Sequence, residues 1–322
     1  MVHLYFFGKQ SKMWVIISIF IVIATKSAAH IHNLDTTNGH INITGNAADT
    51  NVGENSAHTN LRNLPECDLS QASIEYCNTE ITSTWNITQH TNLNQVNIVC
   101  STYYPINCIN LGKGVNLNMM SVLITSNNDG NCIHMEESTT LTANDLTANN
   151  CEWSGNGHKG HPGGFLYGSY DSGSIAVTLK DSRIHDSQGH SGGAISLYYG
   201  NLTLENTSFM GSKSGRHAGA IELYGGYHMF TNSKLQYNTA YGYGGAVTLE
   251  HGGELTLKDT IIEHNSAASL AGAIKMDASV LHLMSGNSIA HNEVTGEPES
   301  TDIWCHEARI QQNNAETTIT CV

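Results

Sequence analysis

Basic residues are scarce in this sequence: 14 Lys and Arg stand against 28 Asp and Glu, a formal balance of −14. That excludes a basic nucleic-acid binder, which needs clustered positive charge to meet phosphate. Charged residues of either sign make up 13% of the chain, about half the usual globular share. A disordered chain held open by its charge is therefore excluded as well. Four prolines rule out a Pro-rich stalk and collagen. No CxxC pair occurs, so a thiolate zinc site lacks its usual spacing. No apolar run approaches the roughly 18 residues that a membrane-spanning helix requires.

The longest apolar stretch is Met13 to Ala24, 12 residues. Lys9 and Lys12 precede it and Ser27-Ala28-Ala29 follows. Positive flank, short apolar core and small-residue site together predict a signal peptide over 1–29 and a secreted, extracellular protein with no integral membrane span after cleavage. Cleavage removes three lysines and no acid, leaving 11 basic against 28 acidic residues, or −17. Such a chain repels nucleic acid and anionic membranes and attracts cations, Ca²⁺ among them. The new terminus, His30-Ile31-His32, would offer an amine, two amides and an imidazole to Cu²⁺ in a square plane.

Eight cysteines follow the signal: Cys67, Cys77, Cys100, Cys108, Cys132, Cys151, Cys305 and Cys321. An even count in an exported chain reads as disulfides. Pairing of sequential neighbours is the expectation, Cys305 with Cys321 above all. Asn-x-Ser/Thr sequons stand at Asn42, Asn86, Asn201 and Asn206, candidate acceptors for N-glycans.

From about residue 163 the chain repeats. Gly163-Gly164-Phe165-Leu166 is followed by Gly192-Gly193-Ala194-Ile195, Ala218-Gly219-Ala220-Ile221, Gly244-Gly245-Ala246-Val247 and Ala271-Gly272-Ala273-Ile274. The spacings are 29, 26, 26 and 27 residues, the sign of a solenoid. Each unit holds three short period-2 stretches. The first is Ile195-x-Leu197 and its counterparts; the second is Val177-x-Leu179, Leu202-x-Leu204, Leu255-x-Leu257 and Leu281-x-Leu283. Then come a polar corner (Asp181, Asn206, Asn232, Asp259), a large apolar residue (Ile184, Phe209, Leu235, Ile262) and a small or amide residue (Ser187, Ser212, Asn238, Asn265). One coil cannot bury its own apolar face, but stacked coils about 4.8 Å apart can. Inward ladders Leu166–Ile195–Ile221–Val247–Ile274 and Ile184–Phe209–Leu235–Ile262–Ile289 are expected. The Gly/Ala pairs read as tight corners, and Asn238, Asn265 and Asn292 read as a left-handed corner with a stacked amide ladder.

These Gly-Gly-Ala-Ile runs, with the apolar-x-x-Asn steps Leu235-Gln236-Tyr237-Asn238 and Ile262-Glu263-His264-Asn265, resemble polymorphic outer-membrane-protein repeats. More broadly they resemble the right-handed parallel β-helix, or pectin-lyase-like, proteins. The resemblance implies an all-β fold, a single right-handed parallel β-helix with three short strands per coil and disulfide-bonded caps. Bacterial members with these repeats have adhesive roles, and other β-helix proteins are polysaccharide lyases and hydrolases. The repeats extend upstream more weakly through Cys132-Ile133-His134-Met135, giving roughly six to seven coils. The expected layout is a signal peptide (1–29), a polar disordered leader (30–60), an N-terminal cap (61–95), the β-helix (96–295) and a C-terminal disulfide cap (296–322).

On the outward side of the first strand, alternation gives the rows Tyr167, Ser196, Glu222, Thr248, Lys275 and Ser169, Tyr198, Tyr224, Glu250, Asp277. Glu222, Glu250 and Asp277 are the candidate catalytic or cation-binding acids, since β-helix enzymes that act on polysaccharides cluster acids on one face for Ca²⁺ or acid–base work. Tyr167, Tyr198 and Tyr224 are candidate sugar-stacking rings. His161, His190 and His217, with His30 and His32, are candidate metal ligands. Acids and tyrosines are common on solvated sheet faces, and fold does not give function. The expectation is therefore a secreted, non-enzymatic surface, adhesion or extracellular-matrix protein with cell-surface, matrix-protein or glycan partners. The alternative is a carbohydrate-binding or polysaccharide-active protein that uses the first-strand face.

Overall fold

The computed structural model describes residues 64–102, 107–127, 131–153, 163–169, 174–295, 301–312 and 319–321. The expected signal and leader, with His30, His32, Asn42 and His161, lie outside them. Every regular element among the described residues is a strand, and every paired strand is parallel to its neighbour. The result is a parallel β-solenoid of about 8 turns.

The first strands stack into a ten-stranded sheet that runs from Trp85–Ile87 to Ile319–Cys321. The second and third strands share a 17-stranded sheet. A five-stranded sheet of two-residue strands, from Gln188–Gly189 to Glu293–Val294, follows the third. Pairing joins residues one coil apart: Leu166 to Ile195, Ile195 to Ile221, Ile221 to Val247 and Val247 to Ile274. The third-strand ladder pairs Ile184, Phe209, Leu235, Ile262 and Ile289 in order. All of these side chains are buried in one core, so the inward ladders are as the alternation predicts. A fully buried side chain of this size contributes about 1.5–3 kcal/mol.

Parallel pairing reaches further than the Gly-Gly marker does. Upstream, Ser73–Ile81 pairs with Thr91–Cys100. Downstream, Ala271–Asp277 pairs with Thr301–His306, and Val280–Leu283 with Arg309–Gln312. The coils of Ser73–Ile81, Thr91–Cys100 and Thr301–His306 lack the Gly/Ala pair, so the repeat spacing understates the number of turns.

The polar corner between second and third strands is left-handed: Asp181, Asn206, Asn232 and Asp259 have φ of 49°, 50°, 49° and 49°. Asn and Asp tolerate that conformation best among residues with a side chain. At the next corner the left-handed residue is not the asparagine. It is the residue before it: Tyr237, His264 and His291, with φ of 59°, 57° and 57°. That shift turns Asn238, Asn265 and Asn292 into the core. Asn238 Nδ2 donates to Asn265 Oδ1 and Asn265 Nδ2 to Asn292 Oδ1, both at 2.9 Å. Each Oδ1 also accepts the backbone N–H of the preceding coil's asparagine at 3.0 Å. The amide ladder therefore runs inside the wall, and the rings of Tyr237, His264 and His291 stack outside it at 5.2 and 5.4 Å.

Cys67–Cys77, Cys100–Cys108 and Cys132–Cys151 are disulfides, as sequential pairing predicts. Cys305 is disulfide-bonded too, and strand pairing sets its backbone beside that of Cys321.

Candidate functional site

The outward side of the first-strand sheet is not a solvated face. Ser196, Glu222 and Thr248 are 0% exposed, and Lys275 is 6%. The segments that lead into each strand fold back over it. A methyl group on Gly192 would meet the Glu222 backbone N at 3.2 Å, and one on Gly244 would meet Thr248 Oγ1 at 2.8 Å. Alternation places these residues away from the core but says nothing of what lies above them. The expectation of an exposed row is corrected on this point.

Glu222 occupies the middle of the covered strip. Ser196 Oγ donates to its Oε2 at 2.8 Å, and its Oε1 has no hydrogen-bond partner among the described residues. Burial pushes its carboxyl up to about 8, against the hydrogen bonds of Ser196 and Ser191 and the charge of Arg216; Glu250 pushes it the same way as burial. Glu222 is thus a neutral acid at pH 7. It can donate or hold a proton, but no solvent reaches it.

Glu250 and Asp277 are both held by one cation, Lys275. Lys275 Nζ lies 2.5 Å from Glu250 Oε1 and 3.6 Å from Asp277 Oδ2. His306 Nδ1 lies 3.2 Å from Asp277 Oδ1. Burial raises the Asp277 carboxyl, but the hydrogen bond with His306 and the charge of Lys275 outweigh it and leave it below the usual range. Lys275 also sits 6.0 Å from the centre of the Trp304 ring. The three candidate acids are therefore one buried neutral group and two ion-paired carboxylates.

The three candidate tyrosines do come together. Tyr198 stacks on Tyr224 at 4.5 Å, Tyr224 on His251 at 5.1 Å, and Tyr167 meets Tyr198 edge-on at 6.2 Å. Tyr198 is only 3% exposed, so its ring faces are spent on neighbours rather than open to a sugar. Burial raises the phenols of Tyr198 and Tyr224 far above their usual value. The exposed rings at this edge are Tyr199 and Tyr227, which outward alternation does not select.

His190 and His217 do not meet a third ligand: among the described residues no three His, Cys, Asp or Glu side chains converge to hold a metal ion. His217 stacks on Tyr243 at 4.9 Å. Burial, then the charge of Arg216, lowers the His190 imidazole, and a neighbouring guanidinium opposes a metal cation as well. Among the sequons, Asn86, Asn201 and Asn206 are all exposed. The Asn206 amide donates to Asp181 Oδ1 at 2.6 Å, and Asn201 Oδ1 accepts the Tyr227 N–H at 2.9 Å.

One buried titratable residue escapes sequence reasoning. His228 stands in the inward second-strand row between Leu202 and Leu255 and is 3% exposed. Its Nε2 is 2.7 Å from the Gly225 carbonyl, and its Nδ1 has no partner among the described residues. Burial depresses the imidazole to about 4, with the Gly225 carbonyl acting weakly the other way. Tyr227-His228-Met229-Phe230 lacks the apolar-x-apolar form of its counterparts, which is why the alternation passes over it. Compared with family models, with curated proteins and with solved structures, the chain matches none.

Proposed function

We propose that this is a secreted, non-enzymatic β-helix protein of the pectin-lyase-like type, whose ribbed surface adheres to cell-surface or matrix partners. The observation that carries the reading is the state of the first-strand acids. A glycan-hydrolysing site needs an accessible carboxyl pair, one to protonate and one to attack or to activate water. Glu222 is shut off from solvent, and Glu250 and Asp277 share Lys275, with the His306 ring also against Asp277. The oxidised cysteines fit export, as do the predicted signal peptide and the sequons. A second reading, carbohydrate binding, is favoured by the Tyr198–Tyr224–His251 stack and by the exposed rings of Tyr199 and Tyr227, next in sequence to these strands. Incubation of the secreted protein with acidic and neutral polysaccharides, followed by reducing-end and unsaturated-product assays, tests both. The expected result is no cleavage, together with adhesion to cells or matrix that survives Glu250→Gln. Cleavage that disappears in Glu250→Gln overturns the proposal, and glycan-array binding lost in Tyr199→Ala/Tyr227→Ala establishes the second reading in its place.

A further inference from the structure

The corner after the third strand keeps one conformation while its residues change. In the earlier coils its left-handed place is filled by Asn150, Asp186 and Gly211, at φ of 53°, 55° and 69°, the residue types that this region favours most. In the next three coils it is filled by rings: Tyr237, His264 and His291, at 59°, 57° and 57°. A ring gives the turn no conformational advantage over Asn or Gly, so the turn does not explain the change. The asparagine after each ring is buried in the wall and bonded to that of the next coil, Asn238 to Asn265 and Asn265 to Asn292. The backbone under the column is therefore fixed, while all three rings stand exposed. His264 and His291 are neighbours across two coils. Their ring centres lie 5.4 Å apart with the planes 11° from parallel, and Tyr237 stacks on the other face of His264 at 5.2 Å. Asn292, the residue after His291, donates from Nδ2 to Asp302 Oδ1 at 2.9 Å. That brings a carboxylate to this end of the column, where it favours a cation.

We infer that His264 and His291 form a two-imidazole site for a divalent late transition-metal ion, of the Zn²⁺ or Cu²⁺ class, which staples their two coils together. Imidazole suits these ions. Two ring nitrogens bound to one ion at about 2.0–2.1 Å each stand about 3–4 Å apart. Turning the exposed rings toward each other about their outer torsion closes that gap, since this torsion is broad in histidine. No third His, Cys, Asp or Glu converges on the pair among the described residues, so water completes the coordination. The consequence is mechanical. An ion held by one residue from each coil must be released before the coils part, so its binding stabilises their contact by mass action. In a solenoid each coil is stabilised by its two neighbours, and none of the three located disulfides reaches these coils. The ion would do here what those cross-links do upstream.

Calorimetric titration of the full chain with Zn²⁺ at about pH 7.5, where an ordinary imidazole is neutral, tests the site. Zn²⁺ is the probe because a square plane of amine, amides and imidazole, as expected at a terminus beginning His30-Ile31-His32, selects Cu²⁺. His264→Gln and His291→Gln should each weaken the binding by about tenfold or more. The double variant should bind no more weakly than either one, because a chelate is lost with its first ligand. Unchanged affinity in either single variant overturns the inference. So does a double variant whose loss is the product of the two single losses, which would mean two independent sites. Hydrogen exchange of the wild type supplies a readout that needs no variant. Added Zn²⁺ should slow exchange in residues 261–294 and leave residues 195–224 as they were; equal slowing in both, or none in either, overturns the staple.

Discussion

At Gly192 and Gly244 the backbone enters the left-handed region, with φ of +70° and +64°, where a side chain costs about 1–2 kcal/mol. Ala218 accepts that conformation at φ 50° in the equivalent place. The second glycine of each corner serves another purpose. A Cβ on Gly219 would collide with the backbone of Gly245, Thr239 and Asn238, so the position is closed to any side chain by the neighbouring coil and not by its own dihedrals. Gly219→Ala should cost about 3 kcal/mol, whereas Gly215→Ala, where a Cβ meets nothing nearer than 3.8 Å, should cost under about 1 kcal/mol. Urea unfolding midpoints of the two variants check this. Equal losses would mean that close backbone approach is not what fixes Gly219.

At the scale of the element, the corner after the third strand is closed in two chemically different ways. In the later coils Asn238, Asn265 and Asn292 close it, each Oδ1 accepting from the coil before and each Nδ2 reaching carbonyls such as Leu235 at 2.9 Å. In an earlier coil Cys151 takes the corner position and Cys132 takes the place held by Phe165 and Ala194 in the next coils, joined by a disulfide. Asn265→Ala would leave the buried Asn238 N–H, Asn238 Nδ2 and Leu235 carbonyl without their side-chain partner. Losing buried partners of this kind costs about 1–3 kcal/mol each, so a loss of about 3 kcal/mol is expected in urea unfolding. Asn265→Asp should also destabilise, because a carboxylate cannot donate. A variant within about 0.5 kcal/mol of wild type would remove the ladder from the account of the fold.

Across the whole molecule, three located disulfides lie between Cys67 and Cys151, and the coils from Ile195 to Leu283 hold together by stacking alone. Reduction should therefore loosen the disulfide-bearing coils, from Cys67 to Cys151 and around Cys305, before the middle ones. Hydrogen exchange with and without reductant should show protection lost in 73–151 and kept in 195–283; uniform loss would mean that the coils open as one unit rather than neighbour by neighbour. The three disulfide pairings were settled by the structure, while the sequence by itself determined the solenoid and its inward ladders. Those follow from period-2 alternation and a 26- to 29-residue spacing, local properties that stacking merely repeats. The upstream coils escape that reading because other residues, such as Asn107 and Asn131, stand where Gly164 and its counterparts mark the rest. The tertiary structure alone decided the state of the candidate site. Alternation can say that Glu222 points outward, but only the entry segment of the preceding coil, Ser191 and Gly192, folded over it makes it buried and neutral. It can say that Asp277 is an acid, but only the stacking of Lys275 and His306 beside it ties it down. His228 reads as a break in the pattern until its neighbours Leu202 and Leu255 show that it lies in the core, where burial and not residue type sets its charge.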